Sequence, residues 1–140
     1  MPGQSIAARN LSLQAHFGAS RHALSLPIMQ FALFQGDPSG GGIEPSGGGY
    51  GRVAVNNDAA FWGAFAVTDV FAVNKGGAVV FPQATGLYTI TTALDWWAVF
   101  DSTSGGSLWY WGILGTTITV TGAGDQPRIP ANSLVCAQAA

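Results

Sequence analysis

His16 and His22 are the only histidines of the 140-residue chain, so acid–base catalysis near neutral pH would have to start from them. They stand in or just after a predicted helix with no acidic residue beside them, which does not make a metal site. No Gly-x-Ser-x-Gly elbow supplies a nucleophile. Asp95 and Asp101 are the one carboxylate pair with a strand-like spacing. Strand geometry would hold them about 20 Å apart, too far for either glycosidase mechanism. The glycine-rich stretch at 36–51 lacks the Gly-Lys-Ser/Thr ending of a phosphate-binding loop and does not open a helix. A single cysteine, Cys136, allows neither an intrachain disulfide nor a thiolate metal site. The expectation is a chain with no catalytic residues, no metal and no cofactor.

Five tryptophans carry more recognition potential than any titratable group. Trp96 and Trp97 are adjacent on a predicted strand, and strand side chains alternate, so the two must point to opposite faces. One of them is therefore a candidate for a surface, where it could stack on a sugar ring or fill a subunit interface. Trp109 and Trp111 are expected to share a face of the next strand. Filling the chain's own core competes with both surface roles.

The elements that must position these residues read mainly as strands. Residues 5–17 place Ile6, Leu13 and Phe17 near one helix face, with Ser5 as N-cap and Gly18 as stop. That amphipathic face makes the three residues interface candidates alongside Trp96 and Trp97. Strands are expected at 28–34, 52–55, 78–81, 95–100, 108–114, 117–121 and 133–136, with turn signals at 74–77, 104–106 and 122–125. In 117–121 the threonines alternate with Ile118 and Val120. The pattern predicts a mainly β protein, a β-sandwich or a jelly-roll form of one, with one short N-terminal helix and a glycine-rich loop. The division expected is an arm and helix over 1–27 and a β-sandwich domain over 28–140.

Composition narrows the partners. Charged residues are 9% and hydrophobic residues 48%, the reverse of a disordered chain. A net charge of −2 gives no field for nucleic acid or an anionic membrane. Twelve charges are few for the roughly 6,800 Å² that a monomer of this mass exposes, so coverage by neighbouring subunits is expected. The most hydrophobic stretch, 59–73, is interrupted by Asp69 and is too short to span a bilayer. The opening residues show no secretory signal pattern.

Several ordered motifs resemble a known group. They are Leu13-Gln14-Ala15-His16-Phe17-Gly18, Phe31 through Pro38, and Glu44-Pro45 followed by Ser46-Gly47-Gly48-Gly49-Tyr50-Gly51-Arg52. Val80 through Thr85, Phe100 through Leu108, Trp111-Gly112 and Gly124-Asp125 continue the series. Together they resemble small tailed-bacteriophage virion proteins commonly labelled phage tail fibre proteins. The stretch between Thr85 and Trp96 departs from that pattern, lacking the group's Trp-Gly and Thr-His.

The resemblance implies a non-catalytic virion component made in the host cytoplasm, with a compact β-sandwich. Small β-sandwich proteins with an N-terminal arm also serve as capsid cement, and low charge, an arm and a glycine loop able to drape over a neighbour suit that role. The leading expectation is a decoration protein that binds between major capsid protein subunits as a homotrimer. The alternative is a tail fibre or tail-tip component that recognises a host surface glycan. The Ser46, Gly47, Gly48, Gly49, Tyr50 and Arg52 motif is expected to be structural.

Overall fold

Pro27 is followed by seven residues whose apolar side chains fall on both faces of a strand, and Ile28–Phe34 forms β2. The computed structural model describes residues 3–5, 26–63, 71–90 and 92–137. The helix expected over 5–17 therefore lies, beyond Ser5, outside the described residues, together with Ile6, Leu13 and Phe17. The other strands are β1 (Gly3–Gln4), β3 (Val53–Asn56), β4 (Phe71–Val73), β5 (Val79–Val80) and β6 (Leu94–Phe100). The series ends with β7 (Leu108–Ile118), β8 (Arg128–Ile129) and β9 (Val135–Ala137). One helical turn, α1 (Ala59–Trp62), follows β3.

Mainly β is thus the fold class. An antiparallel sheet of five strands in the order β1-β7-β6-β2-β3 is accompanied by two ribbons, β4-β9 and β5-β8. Gly3 and Gln4 pair with Trp111 and Tyr110, and the Ser5 amide donates to the Trp109 carbonyl at 2.9 Å. Residues 3–5 of the expected arm thus lie along β7 of the main sheet.

The inner face of the sheet builds the larger core. Met29, Phe31 and Leu33 of β2 and Trp97 and Val99 of β6 are nearly or wholly buried. Phe61 and Trp62 of α1, Val79, Phe81, Tyr88, Ile129 and Leu134 pack against them from the ribbon side. α1 is a single turn held by Asp58, whose carboxylate accepts from the Phe61 amide at 3.2 Å, and it ends at Gly63 with φ of 80°. A turn this short gains little from its own backbone. Its anchor is the burial of two aromatic rings, with Trp62 donating to Asn57 at 2.7 Å and Asn57 donating to the Leu26 carbonyl.

Gly112 shows how tightly the sheet is packed. A Cβ there would stand 2.8 Å from the Trp97 indole, so the ring lies directly on glycine backbone. This burial corrects the expectation that Trp97 belongs to an interface, because at 2% exposure it has no surface to offer.

Two other expectations change. Trp109 and Trp111 do not share a face. Val99 pairs with Tyr110 while Phe100 pairs with Leu108, so Trp109 is the extra residue of a β-bulge and turns into the main core. Trp111, opposite Ala98, packs on the other face. The strands expected at 108–114 and 117–121 are instead one eleven-residue strand reaching Ile118, with Gly115 passing through extended and Leu94 pairing Ile118. The alternation read from 117–121 holds in burial: Val120 is inside and Thr117, Thr119 and Thr121 are exposed.

Candidate functional site

Each described acidic group holds backbone or a neighbouring side chain. Asp37 closes a turn by accepting from the Ser39 amide and hydroxyl at 2.8 and 2.7 Å, and these bonds lower its carboxyl below the usual range. Asp125 accepts from the Thr121 amide and hydroxyl at 2.7 and 2.9 Å with the same effect. Asp95 accepts from the Gly36 amide at 2.9 Å. Asp101 lies beyond the end of β6 and braces the β6–β7 hairpin by accepting from the Ser107 amide and, at 3.3 Å, the Trp109 indole.

The densest polar cluster is built by the glycine motif. Gly47, Gly48 and Gly49 all have positive φ, which lets the loop lie flat on residues 85–89. At Gly48, with φ of 57°, a Cβ would stand 2.6 Å from the Gly86 and Leu87 carbonyl oxygens. The Thr85 amide donates to the Gly48 carbonyl, and Thr89 and Ser46 exchange bonds through backbone and hydroxyl. The loop is fastened to residues 85–89 of its own chain. Residues 86–89, on which it rests, fall in the stretch that departs from the group's motif pattern.

Tyr50 and Arg52 then close the loop over the sheet. The Tyr50 hydroxyl donates to Glu44 at 2.9 Å and accepts from the Leu33 amide at 3.2 Å, just past the last β2–β3 pair. Its ring stacks on Phe81 and meets Tyr88 edge-on. Burial first, and the Glu44 charge second, push the Tyr50 hydroxyl well above its ordinary range.

Arg52 grips the same carboxylate through Nε at 2.8 Å and Nη2 at 2.9 Å. Its Nη1 donates to the Ser102 and Gly105 carbonyls, both at 2.8 Å, and its Cζ sits 3.8 Å above the Phe100 ring. The guanidinium side chain is 6% exposed and that of Glu44 22%. Two motifs about fifty residues apart, Ser46 to Arg52 and Phe100 to Leu108, are therefore one structural unit. Sequence reading singled out both but did not connect them.

Phe100 leads to the outer face of the sheet. Phe34 and Phe100 stack at 5.9 Å above the fully buried pair Ala32 and Ala98. Leu108, Trp96 and Trp111 pack beside them, and Ile113, opposite Trp96, is 57% exposed. Ala32, Phe34, Trp96, Ala98, Phe100, Leu108 and Trp111 of this cluster are all uncharged. The neighbouring tryptophans point to opposite faces as alternation requires, and Trp96 is the one on this outer face.

Among the described residues no three metal-ligating side chains come together, and no helix is long and apolar enough to cross a membrane. No curated protein matches the chain. A family model described as Podophage GP4 fiber I protein gp80 matches residues 6–137. Since the match spans nearly the whole sequence, the chain belongs to the family of Podophage GP4 fiber I protein gp80.

Proposed function

We propose that this chain is a non-catalytic structural subunit of a podophage fibre, joined to its neighbours by apolar and backbone contacts. The family match over residues 6–137 carries this reading, because its description names a fibre protein. The chemistry of the described residues fits it. Carboxylates that could serve catalysis instead brace turns and loops, and the outer sheet face is apolar beside the Arg52–Glu44 pair that lies against Phe100.

Capsid cement is the second reading, supported by the low charge content and by exposed apolar side chains such as Ile113 and Ile28. Those features suit any subunit packed among others, so they favour an assembled protein without choosing shell over fibre. The family description tilts the balance to the fibre. A homotrimer suits either location, since closed cyclic assemblies are the common form of homo-oligomers.

Antibody labelling of purified particles, with copy number from quantitative mass spectrometry, tests the reading. A fibre subunit gives label at the tail and few copies. Label spread over the capsid, with copies in proportion to the major capsid protein, overturns it in favour of cement. Glycan recognition through Trp96 requires that Trp96→Ala reduce adsorption to host cells while leaving particle assembly intact.

A further inference from the structure

We draw no further inference here: the strongest candidate, the apolar patch around Trp96, Trp111 and Ile113 on the outer face of the main sheet, carries none because nothing in the structure shows what covers it.

Discussion

Two polar hubs tie the long connections of this chain to its sheet, and they use opposite chemistry. Asn74 is fully buried and neutral. Its side chain donates to the Gly77 and Pro130 carbonyls at 2.9 and 3.0 Å and accepts from the Leu134 amide at 2.9 Å. The Asn132 amide adds a bond to the Asn74 carbonyl. Arg52 is charged and lies against the outer face, where it binds Glu44, two hairpin carbonyls and a phenyl ring. The neutral hub satisfies buried backbone with no desolvated charge, so its cost of burial is small. The charged hub needs its partner carboxylate, and the carboxylate needs the partly open position it has. A chain with only twelve charged residues therefore places one ion pair at the junction of two loops and leaves the deeper junction to an amide.

The largest expected effect is at the neutral hub. Asn74→Ala strands the Leu134 amide and removes a donor from two carbonyls, for a loss of about 3 kcal/mol in unfolding free energy. Denaturant titration measures it. A loss below that of the Arg52 variant would reverse the ranking of the hubs. Asn74→Asp keeps the acceptor but sets a carboxylate against two carbonyl oxygens, so it should be strongly destabilising at neutral pH and partly recover as pH falls.

At the charged hub, Arg52→Met retains much of the packing on Phe100 and removes every hydrogen bond. A fully buried pair broken on one side costs about 3–5 kcal/mol. Glu44 is 22% exposed and can rehydrate, so about 2 kcal/mol is expected. Hydrogen exchange should quicken in both 44–50 and 101–107, because Arg52 joins them. Quickening in one loop alone would show that the two motifs are independent. A smaller effect follows from Gly48→Ala, about 1–2 kcal/mol, because a left-handed backbone and two carbonyl oxygens both oppose the methyl group. Its exchange signature should be confined to 46–50 and 85–89.

The two hubs also differ in how far the sequence revealed them. Strands β2, β6 and the start of β7 were legible because apolar runs bounded by proline and glycine leave few alternatives. The opposite orientation of Trp96 and Trp97 followed from strand period alone. Trp109 escaped the same reasoning because one bulge resets the period. β1, β4 and β8 are two or three residues long and carry no measurable periodicity. Asn74 sits in Asn-Lys-Gly-Gly, where asparagine reads as a turn former, and nothing local shows that its amide reaches Pro130 and Leu134. The Arg52 hub was half visible. Its residues were singled out as a motif, but its hairpin partners lie fifty residues on. A usable signal was present, since an arginine closely following a glutamate and a tyrosine is conspicuous in a chain with so little charge.

The finest distinction between the hubs is their response to alkali. Burial, aided by the Glu44 charge, raises the Tyr50 hydroxyl far above its ordinary value, so the folded chain keeps Tyr50 neutral where the unfolded chain ionises it near pH 10. A group whose folded pKa is raised contributes stability that is fully present below its unfolded pKa and is lost as pH rises beyond it. Stability should therefore fall above pH 10, by about 1.4 kcal/mol per pH unit for Tyr50. Tyr88, raised by burial, acts in the same direction. Tyr50→Phe loses the bonds to Glu44 and Leu33 and should cost about 1 kcal/mol at neutral pH, yet it should flatten the alkaline limb. Asn74 does not titrate, so Asn74→Ala should lower the whole curve and keep the limb at its original slope. Denaturant titrations of both variants between pH 7 and 11 separate these outcomes. An alkaline limb of equal slope in Tyr50→Phe would mean that the phenol is hydrated in the folded chain and that Arg52 and Glu44 hold the loop without it.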